Sequence, residues 1–198
     1  VHRVGVKWYG SNRENPGERG LPRSVHLIVL NDPDSGMPLA VMDGTLISAM
    51  RTGAVAGVGA KYLAPAGTDT AGLVGAGVIS RTILLAFDAV LDLDRVRVFD
   101  IAPAQSARFA DEMAHLGPTI EPVDSTEAAV ADAGAVGVAA AGTTTPEVDP
   151  DWLHPSAYLA PLGDVVVPQS LYSEFEVVVD DWTSVSEYME YVDRGVSN

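Results

Sequence analysis

The sequence predicts an α/β protein whose second part is a mostly parallel sheet wound with helices, and three observations carry that prediction. Residues 70–80 read Thr-Ala-Gly-Leu-Val-Gly-Ala-Gly-Val-Ile-Ser, a short apolar strand entering a glycine-rich turn. A helical stretch follows, and then a second strand, Val96-Arg97-Val98-Phe99, closed by the carboxylate of Asp100. Apolar runs at 71–74, 95–99, 119–123, 135–140, 157–160 and 176–180 alternate with helical stretches such as 81–90 and 104–116. Alternation of this kind builds a parallel sheet whose ligand crevice lies beyond the carboxyl ends of the strands. The loops after Val74, Phe99, Ala140 and Leu162 are therefore expected to converge.

The first βαβ unit matches a Rossmann-type dinucleotide fingerprint. Gly75 permits the tight turn, Gly77 lets the backbone approach a pyrophosphate, and Ser80 fills the third small position, where helix and strand pack closely. Ala76 lies between the glycines. The amides that open the next helix, at Val78 and Ile79, face the phosphates. Asp100 suits a ribose 2′-hydroxyl and repels a 2′-phosphate, so the cofactor is expected to be NAD in preference to NADP. Arg97 and Arg108 are the nearest cations that would argue otherwise.

Upstream, 4–9 reads as a strand in which Val4, Val6 and Trp8 share one face, leaving Lys7 on the other beside Gly5 and Tyr9. Runs at 25–30 and 37–42, joined by Asn31-Asp32-Pro33-Asp34-Ser35-Gly36, form a hairpin with a longer loop. Asp43 or Thr45 caps a helix that runs to about Leu63 and ends at Pro65. Residues 64–69 make a breaker-rich linker, which separates a first part, 1–65, from a nucleotide-binding part, 66–198.

On the helix, Leu46, Ile47, Met50, Ala54 and Val58 form an apolar stripe that contains Arg51. A guanidinium there must find an anion, a ligand carboxylate or an internal salt bridge, or snorkel to the surface. Lys7, and the basic loop from Arg19 to Arg23, fit a solvated surface as well as an anion site. Thr143 and Thr144, in the loop after the strand at 135–140, fit either cofactor binding or capping. Asp164, after the fifth strand of the sheet, fits either a turn or catalysis.

The chain has 198 residues, 47% hydrophobic and 20% charged, with net charge −15. Such a charge opposes nonspecific nucleic-acid binding. No apolar run approaches transmembrane length, so a soluble, cytoplasmic protein with no membrane partner is expected. The absence of cysteine excludes disulfide and thiolate chemistry. The four histidines lack metal-ligand spacing, so no metal is expected. The chain opens at Val1 on an immediate strand, and a preceding segment is expected.

The whole pattern resembles the ornithine cyclodeaminase and μ-crystallin family. The resemblance rests on Gly5-Val6-Lys7-Trp8, Gly20-Leu21-Pro22-Arg23, the run from Leu30 to Ala40, the run from Met42 to Ala54, Gly75-Ala76-Gly77 and Leu162-Gly163-Asp164. It implies an NAD(P) domain joined to part of an α+β substrate domain through which such proteins form homodimers. It implies that Lys7 and Arg51 bind the α-carboxylate of an amino-acid substrate and that Asp164 is the catalytic carboxylate. A further carboxylate-binding arginine would lie upstream of Val1.

The activity implied first is conversion of L-ornithine to L-proline and ammonia by transient hydride transfer to NAD. Trp8 and the Gly-Leu-Pro-Arg loop look more like the branch that makes N-(2-amino-2-carboxyethyl)glutamate, a net amino- or imino-acid oxidoreductase. Met42-Asp43-Gly44 and Gly163-Asp164 look more like cyclodeaminases. A μ-crystallin-like binding protein without turnover is the non-enzymatic alternative.

Overall fold

Three antiparallel strands open the chain: β1 (Val4–Ser11), β2 (Ser24–Asn31) and β3 (Pro38–Asp43), in the order β1-β2-β3. The turn between β2 and β3 is built by Asp32, whose carboxylate accepts from the amides of Asp34 and Ser35 and from the Ser35 hydroxyl. Those bonds, the Ser35 amide's first, hold the Asp32 carboxyl below its ordinary range. The computed structural model describes residues 3–140, 145–163, 165, 166, 168, 175–179 and 181–183. The chain divides into two compact units, 1–166 and 167–198. In the second, the described residues include a helical turn at Trp182 and Thr183.

Helix α1 (Thr45–Leu63) starts after Gly44, with the Asp43 carboxylate accepting from the Thr45 amide at 2.8 Å. Asp43 thus satisfies an orphan donor of the first turn, although the residue at the capping position is Gly44. The buried face differs from the expected one. Ser48, Ala49, Gly53, Ala56, Gly57 and Ala60 are buried, whereas Leu46, Ile47, Met50 and Val58 are exposed. The reason is backbone proximity. A Cβ on Gly53 would overlap the Thr82 carbonyl of the next helix, and one on Gly57 would lie 2.7 Å from the Ala86 Cβ. The two glycines, one turn apart, seat the helices against each other where larger side chains would hold them apart.

Gly53→Ala is expected to destabilise the protein. Alanine gains about 1 kcal/mol of helix propensity, but forcing a methyl into a packed contact typically costs about 1–3 kcal/mol. Here the obstacle is main chain, which cannot rotate aside, so the clash wins. A thermal melt beside Gly117→Ala, where a Cβ meets open space, checks this. An unchanged midpoint for Gly53→Ala would contradict the packing.

The second sheet is parallel, in the order β6-β5-β4-β7-β8, from β4 (Thr70–Val74), β5 (Arg95–Phe99), β6 (Thr119–Pro122), β7 (Ala135–Val138) and β8 (Tyr158–Pro161). Helices α2 (Val78–Asp88), α3 (Pro103–Met113) and α4 (Thr126–Val130) connect them. The strand order reverses between β4 and β7, the switch point at which ligands bind such sheets. Leu73, Val96 and Val98 from the sheet, Ile83, Leu84 and Phe87 from α2, and Phe109 from α3 make one buried core. The fold is α/β with a Rossmann-like sheet, as the alternating pattern predicts. The strand expected at 176–180 is not seen over its described part, where residues 176–179 carry no regular structure. No described helix is long and apolar enough to cross a membrane.

Candidate functional site

The glycine turn between β4 and α2 is fixed from three sides. Gly75 has φ +93, in the left-handed region that favours glycine, and its amide donates to the Phe99 carbonyl at 2.7 Å. A Cβ on it would meet the Ala139 carbonyl oxygen at 2.9 Å, so the turn abuts the end of β7. The Ala76 amide donates to Asp100 Oδ2 at 2.8 Å, and Asp100 Oδ1 accepts from the Ala102 amide at 2.9 Å. Asp100 therefore holds the glycine turn and the approach to α3 together. A carboxylate has about four lone-pair directions, so capacity for a hydroxyl remains. Sequence reasoning gave Asp100 only a ligand-facing role and missed this structural one.

The donors of the turn can be accounted for one by one. Gly75 and Ala76 spend their amides on Phe99 and Asp100. Among the described residues none accepts from the amides of Gly77, Val78 or Ile79. A Cβ on Gly77 would project into open space. Free amides at a helix N-terminus beside an open cradle suit a pyrophosphate. Ser80 is fully buried, as close helix packing requires.

Arg81 closes the turn from the side of α3. Its Nη1 donates to the Ala76 carbonyl at 2.5 Å and to the Gly77 carbonyl at 2.9 Å. Its Nε and Nη2 reach Glu112 Oε2 at 2.7 and 2.6 Å, and its guanidinium lies 5.1 Å from the centre of the Phe109 ring. Arg108 pairs with Glu112 Oε1 at 2.6 Å. Arg108, followed by Arg81, holds the Glu112 carboxyl below its ordinary range. Arg97 donates to the Ala131 carbonyl. Both cations that would have argued for a 2′-phosphate therefore have other partners.

On the first sheet, Lys7 Nζ donates to Ser48 Oγ at 3.2 Å and stands 5.6 Å from the Tyr9 ring centre. Tyr9 stacks on His26 at 5.6 Å. Ser48 and Arg51 are three apart on α1 and so lie on one helix face. Arg51 is exposed and makes no ion pair among the described residues. The internal salt bridge is thus not found, and Arg51 lies off the buried stripe. Gly53 faces Thr82 and Gly57 faces Ala86, so α1 and α2 run in the same direction. Continued back one turn, that register sets Ser48 and Arg51 at about the level of the glycine turn. Lys7, held against Ser48, and Arg51, one turn further on, give α1 a cationic corner near this level. Ser48 was not singled out from the sequence, where a helical serine carries no signal. Arg19 pairs with Glu18 at 3.3 Å, a local surface contact.

The loop after β8 passes over the end of β7. The Leu162 and Gly163 amides donate to the Val138 carbonyl at 2.8 and 3.1 Å, and Val166 exchanges bonds with Pro146 and Val148. The described parts of the loops after β4, β5, β7 and β8 accordingly meet at one end of the sheet. Asp164, Thr143 and Thr144 lie outside the described residues. Among the described residues there is no cluster of metal ligands.

Comparisons with known proteins bear on this arrangement. The chain is 33% identical over 197 residues to N-((2S)-2-amino-2-carboxyethyl)-L-glutamate dehydrogenase of Staphylococcus aureus, an alignment covering 96% of this chain and 57% of that protein. The Thermococcus litoralis Δ1-pyrroline-2-carboxylate reductase, solved with NADH and L-proline, superposes with TM-score 0.73 at 40% identity, over 78% of this chain and 48% of that one. An archaeal alanine dehydrogenase dimer with bound NAD superposes with TM-score 0.81 at 28% identity, over 99% of this chain and 62% of that one. The chain therefore spans about half to three-fifths of the length of these relatives. The sequence profile of the Ornithine cyclodeaminase/mu-crystallin family matches residues 1–180, and with the glycine turn and the switch point of the parallel sheet in place, the chain belongs to that family.

Proposed function

We propose that the protein is an NAD-dependent enzyme acting on a small amino or imino acid by hydride transfer at Cα. Two candidate anion sites support this reading: the amides of Gly77, Val78 and Ile79, which have no acceptor among the described residues, and Lys7 with Arg51 at about the same level along the paired helices. A diphosphate at the first and a carboxylate at the second would place a substrate carbon beside the far end of the dinucleotide, the orientation on which such catalysis depends. A nicotinamide bound there supplies the hydride acceptor or donor. Lys7 and Arg51 hold the carboxylate, and Asp164 takes or returns the proton of the substrate amine. Thr143 and Thr144 contribute hydroxyls to the cofactor side. The division at 65/66 into a substrate part and a nucleotide part belongs to this proposal. So does a homodimer, for which the exposed apolar face of Val4, Val6, Trp8 and Val41 on the first sheet is suited.

Two reactions share that hydride step. In cyclodeamination of L-ornithine to L-proline and ammonia, NAD returns to its starting state. In dehydrogenation or reduction, including dehydrogenation of N-(2-amino-2-carboxyethyl)glutamate, it does not. The similarity to the Staphylococcus dehydrogenase along nearly the whole chain favours the second reaction. Incubating the full-length protein with a panel of amino acids and either NAD⁺ or NADP⁺, with product analysis and NAD(P)H absorbance, tests the proposal. Turnover with NAD⁺ in preference to NADP⁺ is expected, because Asp100 at the end of β5 disfavours a 2′-phosphate. Proline and ammonia with no net NADH identify cyclodeamination; accumulating NADH identifies dehydrogenation. Preference for NADP⁺ would contradict the cofactor assignment, and nucleotide binding without turnover would leave the binding-protein reading.

A further inference from the structure

We propose that Arg81 and Glu112 form a clamp that aims the main-chain amides of the glycine turn, making both of them positioning residues for the cofactor's diphosphate. The inference rests on the dinucleotide reading of that turn and adds two residues to it. The C=O and N–H of a trans peptide point in opposite directions. Arg81 Nη1 holds the carbonyls of Ala76 and Gly77, which fixes the peptides that carry the Gly77 and Val78 amides and turns both amides away from the guanidinium. Those are two of the amides with no acceptor among the described residues. Glycine at 77 gives these peptides more freedom to rotate than any other residue would, so an external anchor has work to do here.

Electrostatics makes the arrangement informative. A cation near a helix N-terminus is unfavourably placed with respect to the helix dipole. Arg81, in the first turns of α2, is held there by Glu112 on α3, which takes its Nε and Nη2 while Nη1 reaches the turn. The guanidinium is thereby divided between one carboxylate and two carbonyls, a task suited to its planar, multi-donor fork and not to an ammonium. Phe109 lies beneath it and Arg108 braces the other oxygen of Glu112. Every donor group of Arg81 faces protein, so its influence on a bound diphosphate is exerted through the peptides.

Titration of the full-length protein with NADH, followed by fluorescence and paired with thermal melts, tests this. Glu112→Gln decides between two roles of opposite sign. If Arg81 acts by aiming the turn, loosening its anchor weakens NADH binding, by about threefold to tenfold for one charge-assisted bond. If Arg81 is instead a direct electrostatic ligand of the phosphates, removing its carboxylate partner tightens binding. Arg81→Lys is expected to bind NADH as weakly as Arg81→Ala while melting closer to wild type, because lysine keeps the pairing with Glu112 and cannot also hold two carbonyls. Tighter or unchanged NADH binding in Glu112→Gln, or full rescue by Arg81→Lys, would overturn the clamp. A wild-type protein that does not bind NADH would overturn the dinucleotide reading itself. Should Arg81→Ala not fold, the other two variants still decide.

Discussion

Asp164→Asn is expected to lower the rate of single-turnover hydride transfer by about 10²–10⁴-fold, the usual contribution of a positioned acid–base group. Binding of NAD should be nearly unchanged. The amide keeps the size and part of the hydrogen bonding of the carboxylate, but it neither takes a proton nor holds an ammonium by charge. The expectation draws on the match of Leu162-Gly163-Asp164 to the family's catalytic aspartate. It draws also on the described flanks of that residue, since Gly163 packs on Ala140 and Val166 bonds to Pro146. Stopped-flow absorbance of NADH in the full-length protein, at saturating nucleotide and substrate, reads the effect. A rate within about twofold of wild type, far below that range, would make Asp164 a turn residue and send the search for the proton acceptor elsewhere.

The second large effect is expected at Arg51. Replacement by alanine removes a charged hydrogen bond to the substrate carboxylate, worth about 1.5–3 kcal/mol, which corresponds to roughly tenfold to 150-fold weaker substrate binding. NADH affinity and the melting temperature should hardly move. The structure sharpens this separation, because Arg51 is exposed and has no ion-pair partner among the described residues, so its removal leaves no buried charge behind. A lowered melting temperature with unchanged substrate affinity would mean that the side chain serves the fold. Equal losses for substrate and nucleotide would mean that the corner and the cradle act as one unit.

Local chemistry made much of the architecture legible. The two periodicities separate strands from helices, and Gly75 stands where its turn demands a positive φ, a constraint that is written in a single residue. The terminal acid of β5 was readable for the same reason, although its partners were not. Asp100 gives one oxygen to the Ala102 amide two residues on, a local turn contact, and the other to the Ala76 amide, twenty-four residues back, which no spacing rule relates. The apolar run at 176–179 carries no regular structure, since composition alone does not supply the neighbour a strand ladder needs.

The sequence by itself determined the order and kind of the elements from β1 to β8 and the place of the glycine turn. Tertiary structure alone decided which face of α1 is buried. Hydrophobicity favoured Leu46, Ile47, Met50 and Val58, yet α1 turns its small residues inward because Gly53 and Gly57 let the backbone of α2 approach. That choice puts Arg51 at the surface and Ser48 beneath Lys7, and it brings the cationic corner level with the cradle. It was tertiary structure, too, that joined Arg81 to Glu112, thirty-one residues apart and on different helices. The physical reason is common to both cases: side-chain chemistry is local and written in the chain, whereas close approach and charge pairing depend on where the backbone of another element passes.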